Sequence, residues 1–307
     1  MSTPKAAGKT RETSGRSRHP HLTPYSLILP AFAVVFLLAA YSFFWLIQLS
    51  LTDLTFGQPF EEGVSVGLEN YRWLLFHKSS TFWSAVRITG LHVSGTLVPE
   101  LLLGLLIALL LSRKMRGNSI FTAALIIPIV LMPSMVGMVA RLYFSYDGLI
   151  NFFIETFFGA KFNWGGKDLA LLAVILVDIW EWTPFFILIF LAGLQTLPPD
   201  PYEAALVDGA SALQSFWHIT LPLMTPLILT ALVLRFMDVL RIFDVIFVMF
   251  GGGPGTATTT LPLYVYRTTL LAEDVGRGSA ASVMLIILIL ASTFLLVRLR
   301  QRLSFQA

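Results

Sequence analysis

The sequence predicts an all-α membrane protein with six spanning helices, and three observations carry that. Of 307 residues, 56% are hydrophobic and 13% charged, whereas a soluble domain carries about a quarter charged. Mean hydropathy is +0.76, so the chain has too little polar surface to wet itself. Finally, six apolar stretches reach the length of about 20 residues that a helix needs to cross hydrocarbon. They are 25–51, 84–112, 119–143, 169–195, 223–250 and 279–299. A soluble enzyme, a disordered chain and a collagen are excluded by the same arithmetic. The net charge of +3 gives no argument for nucleic acid. The absence of cysteine removes disulfides, thiol chemistry and Cys-based metal sites. The five histidines show no ligand spacing.

In chain order, residues 1–24 are polar, carry Lys5, Lys9, Arg11, Arg16 and Arg18, and read as a disordered basic tail. A secretory signal is the rival reading, but the apolar run that follows is too long and lacks a small-residue cleavage site. Gly8-Lys9-Thr10 is not a phosphate loop, because Thr3 stands where that pattern wants glycine and no strand precedes it. Pro128, Pro133, Pro184 and Pro226 fall in or near spans. Such breaks are tolerated in lipid when neighbouring helices satisfy the freed carbonyls, so they predict a packed bundle with irregular inner helices.

Lys and Arg in the connections set orientation. With six spans, the tail, the Arg113-Lys114-Met115-Arg116 loop and Arg298, Arg300 and Arg302 fall on one side, predicting cytoplasmic termini. Arg141, at the outer end of the third span, reads as a snorkelling anchor. The Gly251–Gly255 run reads as a tight turn leaving the fifth span, not a phosphate cradle. The loop 196–222 also falls inside, yet has no Lys or Arg. It opens like a helix, with Asp200 as N-cap, Pro201 at the first position and Glu203 at the third. Ala204 and Ala205 add helix formers without bulk, and Gly209 follows Ala205 by four residues on one smooth face. A membrane-surface connector would want a basic polar face. With Glu203 and Asp208 there instead, a docking helix for a cytosolic partner is the sharper reading.

Glu203, Ala204, Ala205, Gly209, Ile219, Leu221 and Pro222 together form E-A-A-x3-G-x9-I-x-L-P. This resembles the EAA signature of ABC-importer permeases, at its expected place between the fourth and fifth spans. Gly67-Leu68-Glu69-Asn70-Tyr71 resembles the outer-loop G-L-x-N-Y of sugar permeases. Arg241-Ile242-Phe243-Asp244 with Gly252-Gly253-Pro254-Gly255 resembles the R-x-F-D…G-G-P-G run of the maltose-permease-like subfamily. The likeness covers about residues 25–300. It implies a type I ABC-importer transmembrane domain over 25–303, with 196–222 as its cytoplasmic coupling loop. It also implies a second, related permease chain, two ATP-binding subunits that hold ATP and Mg, and an extracytoplasmic solute-binding protein. No cofactor is then expected in this chain. The implied solute is a carbohydrate: a sugar, oligosaccharide or polyol.

Ionisable residues at membrane depth default to a functional hypothesis. The fourth span holds Asp178 and Glu181 beside Trp182 and Phe185; the fifth holds Arg235, Asp238, Arg241 and Asp244 at steps of three. The bland reading is that Arg235–Asp238 and Arg241–Asp244 neutralise each other and serve packing. The functional one is a polar solute path, since carboxylates and guanidinium groups bind hydroxyls and Trp rings stack on sugar faces. Carried over by spacing from Glu203, the family's contact positions fall on Asp178, Glu181, Trp182, Phe185, Arg235, Asp238, Val239 and Ile242. Several are charged where the family is familiar with small neutral groups, which leaves the solute's identity open. The alternative is that the partner permease holds the sugar. Glu100, beside Pro99, caps a kink or meets another helix. A self-contained secondary transporter would show an internal repeat, and none is seen. An assembly subunit would leave the intramembrane charges without purpose.

Overall fold

A computed structural model describes residues 23–112 and 117–304. Residues 1–22 of the basic tail and Arg113–Arg116 lie outside the described residues. Thr23 and Pro24, assigned above to the tail, are already helical. The described residues up to Trp45 and those from Leu46 onward form separate compact units. Helix α1 spans Thr23–Ser50, and along its middle Phe32, Val35 and Leu38 are exposed.

Among the described residues, the regular elements of the second unit are helices. It contains α2 (Glu69–Phe76), α3 (Phe82–Leu111), α4 (Asn118–Val130), α5 (Pro133–Tyr143), α6 (Leu149–Phe158) and α7 (Ala170–Gln195). These are followed by α8 (Asp200–Val207), α9 (Ala212–Ser215), α10 (Leu221–Val239), α11 (Asp244–Phe250), α12 (Leu261–Tyr266) and α13 (Val275–Ser304). Among the described residues five helices are long and apolar enough to cross a membrane, or six if α4 and α5 count as one broken span.

Two expected spans are therefore not single rods. The third bends by 96° between α4 and α5. The cause is local: Met132 precedes Pro133, whose ring pushes it out of the helical region, and it takes φ −71°, ψ 129°. Pro133 then opens the next helix, where its missing N–H costs nothing. The expected fifth span, 223–250, ends instead at Val239. The N–H groups of Arg241 and Ile242 reach back only three residues, to Asp238 and Val239, which tightens the helix end. Phe243 leaves the helical region at φ −138°, and α11 starts afresh at Asp244.

The core centres on α3, α7 and α10, where Leu97, Leu105, Ala108, Phe186, Phe190, Met224 and Val239 are buried together. The close pass of α3 over α7 requires Gly104, because a methyl there would overlap the Phe186 Cβ. A second cluster joins α5, α7 and α11 through Val136, Val174, Val177 and Ile246. A third joins α2, α3, α12 and α13 through Leu74, Phe82, Ala85, Leu261 and Ala280. The Gly67–Tyr71 motif serves as a fastener. The Asn70 amide donates to the Ser50 and Thr52 carbonyls at 2.9 and 2.7 Å, and the Tyr71 hydroxyl meets Ser50 Oγ at 2.7 Å.

Candidate functional site

Helices α7 and α10 place Asp178, Glu181, Trp182, Arg235 and Asp238 around one polar region. Arg235, 2% exposed, is its centre. Its Nε and Nη2 donate to the two oxygens of Glu100 at 3.0 and 2.8 Å, a bidentate pairing. Nη2 also donates to Asp178 Oδ1 at 2.8 Å, and Nη1 to Asp238 Oδ2 at 2.8 Å. The guanidinium carbon lies 4.4 Å from the Trp182 ring centroid, in cation–π range. One side chain thus ties together α3, α7 and α10. Glu100, fully buried, is the residue whose role the sequence could not decide; its partner lies 135 positions away.

The pairing differs in part from expectation. Arg235 and Asp238 do pair. Arg241 does not pair with Asp244; it approaches Asp238 Oδ1 at 3.7 Å. The break after Val239 is the reason, because residues 241 and 244 are not on one helix. Glu181 is 1% exposed, and its Oε2 has no hydrogen-bond partner among the described residues. His92 of α3 is also buried, with Nε2 3.6 Å from Asp178 Oδ2, too far for a hydrogen bond.

A cavity of about 220 Å³ opens beside the cluster, walled by Asp178, Glu181, Trp182, Asp238, Ile242 and Asp244. A second, of about 510 Å³, takes its wall from Trp182, Phe185, Asp238, Met237 and Ile289. Of the eight expected path residues, seven line one or both. Val239 is the correction: it is fully buried in the α3–α7–α10 core and faces neither cavity. A further cleft of about 500 Å³, among Leu131, Met135, Val139, Leu176 and Trp180, has no charged lining and offers nothing to a polar solute.

The 196–222 connection forms a second surface. Helix α8 carries Glu203, Ala204 and Ala205, and none of its side chains is buried. Asp200 is not its N-cap. Pro199 already has helical angles and caps the helix, with the Tyr202 and Glu203 N–H groups bonding its carbonyl, so Asp200 lies inside the first turn. Gly209 is not on the helical face with Ala205 but ends the helix, at φ +74°. Its N–H reaches Leu206 O at 3.2 Å while the Ala210 N–H reaches Ala205 O at 2.9 Å, a Schellman ending that a Cβ would strain. Asp208 stands exposed at that turn. A capping box does occur in the loop, at Ser211–Gln214; the S-x-x-Q spacing was the available signal. From Ala212 the chain runs through a π-helical turn, Phe216–Thr220, into α10. Leu221 and Pro222 therefore begin a helix that is already under way.

The exposed Glu-Ala-Ala helix joining two spans, with a buried charge cluster between the same two spans, defines a transport subunit. The family described as "Binding-protein-dependent transport system inner membrane component" matches residues 100–305, and the chain belongs to it. It is accordingly a multi-pass membrane permease of the ABC-transporter type. It is 38% identical over 264 residues to a probable ABC transporter permease protein, y4oQ, of Sinorhizobium fredii, covering 86% of this chain and 85% of that one. It is also 38% identical over 282 residues to the trehalose/maltose transport system permease protein MalF of Thermococcus litoralis, covering 89% and 92%. The fold matches a subunit of a crystallised bacterial ABC transporter involved in the import of the polysaccharide alginate. There the TM-score is 0.76 and identity 22%, over 92% of this chain and 96% of that one.

Proposed function

We infer that this chain is one membrane half of an ATP-driven importer for a carbohydrate, working with a second permease, two ATP-binding subunits and an extracytoplasmic solute-binding protein. ATP and Mg belong to the ATP-binding subunits. The termini and α8 face the cytoplasm, and α8, with Glu203, Ala204, Ala205, Asp208 and Gly209, docks on an ATPase. The observation that carries this reading is that the two spans flanking α8 also wall the polar cavities. Movement of α8 then reaches the cavity through two packed helices. Relatives named for trehalose/maltose, sulfoquinovosyl glycerol, multiple sugars and arabinooligosaccharides support the solute class. So does the cavity wall: Trp182 offers a face for a sugar ring, and Glu181 and Asp238 offer acceptors for hydroxyls.

The test is uptake of labelled sugars and polyols by proteoliposomes holding this chain, its partner permease, the ATPases and the binding protein. Saccharide uptake that requires ATP and is abolished by Gly209→Asp is the expected result. Uptake that persists without the ATPases would make the chain a self-contained secondary transporter. If Glu181→Ala and Asp238→Ala leave transport kinetics unchanged for every solute carried, these residues do not touch the solute.

A further inference from the structure

Helix α8 is held to the rest of the chain by very little. Leu206 and Val207 project from it, 74% and 88% exposed. At its C-terminal end a cleft of about 300 Å³, lined by Ala205, Asp208, Gln214 and His218, separates it from the π-helical turn. At the other end contact is direct: the hydroxyls of Tyr202 and Thr220 lie 2.9 Å apart. Among the described residues this is the one side-chain hydrogen bond from α8 to another helix.

Thr220 is well placed to receive force. It is buried, and it closes the π-helical turn in which the Leu221 N–H reaches back to Phe216 O. The next residue opens α10, which carries Arg235 and Asp238 about four turns further on. The covalent route from α8 to α10 is softer. It passes through the Gly209 turn and then the π-helical turn, two irregular stretches able to absorb displacement. The hydroxyl contact bypasses both.

We propose that the Tyr202–Thr220 contact is the strut that passes displacement of α8 to α10, which makes both residues positioning residues of the transport cycle. The proposal rests on the reading of α8 as the docking helix. A single hydrogen bond biases an equilibrium by a factor of about five, so its loss weakens the transmission without abolishing it.

The chain has no cysteine, so Ile242→Cys on the cavity wall gives it one thiol reporter. The complete transporter is reconstituted in proteoliposomes. The rate at which a membrane-impermeant maleimide modifies this chain is read with and without ATP plus vanadate, so no solute is needed. In the reporter background ATP plus vanadate changes the rate. Tyr202→Phe or Thr220→Val cuts that change about fivefold, Thr220→Ser preserves it, and the double variant falls no further than either single one. A full response in both single variants, with the response lost in Gly209→Asp, overturns the strut and leaves the docking reading standing. A full response in Gly209→Asp as well overturns the docking reading itself. Losses that add in the double variant also overturn the strut, because the two side chains then act separately.

Discussion

The Arg235 cluster and the α8 connection are built on opposite principles. The first is buried and held by charge: Arg235 has four ionic hydrogen bonds to residues of α3, α7 and α10. The second is exposed and held by backbone geometry: a proline start, a glycine stop and a capping box. Removing a charge from the cluster strands its partners in a medium that cannot solvate them. Removing an exposed side chain from α8, such as Glu203 or Val207, leaves groups that water satisfies. Lesions in the cluster are therefore expected to lower stability and transport together, and lesions in the loop to lower transport alone.

The largest expected effect is Arg235→Met. It keeps much of the volume but leaves Glu100 and Asp178 buried without a cation, a cost of about 3–5 kcal/mol. Thermal unfolding of the purified subunit in detergent should show a large fall in midpoint. A midpoint close to wild type would mean that apolar packing, not charge, joins the three helices. Gly104→Ala separates those terms. It leaves every charge in place but forces a methyl against Phe186, costing about 1–3 kcal/mol. A loss exceeding that of Arg235→Met would reverse the order of importance.

The contrast also governs what was legible in the sequence. Hydropathy depends on composition in a window, so the existence of the spans could be read directly. Pro128 and Pro133 marked the third span as irregular, but its 96° bend depends on how α4 and α5 pack. The end of α10 at Val239 carried no proline or glycine, so it was missed, and one error followed: the Arg241–Asp244 pair. Val239 was placed on the path by spacing from Glu203 alone, which does not show that it turns into the core. Helical spacing placed Asp178, Glu181 and Trp182 together because they share one helix. It could not find Glu100, whose contact with Arg235 is set by tertiary packing. In the loop, residue types pointed to a helix correctly, yet the N-cap was misplaced by one residue because Pro199 itself adopts helical angles.

On the loop side, Ser211→Ala should cost about 1 kcal/mol, the usual worth of an N-cap. The unfolding midpoint should hardly move, while hydrogen exchange at the Gln214 amide, which bonds the Ser211 hydroxyl, should quicken. A large fall in midpoint would show that the connection is load-sharing with the core and that the two regions are not independent.

Arg241→Gln carries the smallest expected effect on stability and tests the border between the regions. Arg241 is 65% exposed at its side chain and meets Asp238 at 3.7 Å, while Asp238 keeps its shorter contact with Arg235. An exposed pair of this kind contributes well under about 1 kcal/mol, and the buried bonds of Arg235 do not depend on it. The midpoint should stay within measurement error of wild type. Because Arg241 lines both cavities, the concentration dependence of uptake should change even so. A fall in midpoint comparable to that of Gly104→Ala would instead place Arg241 inside the charge-held cluster, extending that cluster across the break after α10.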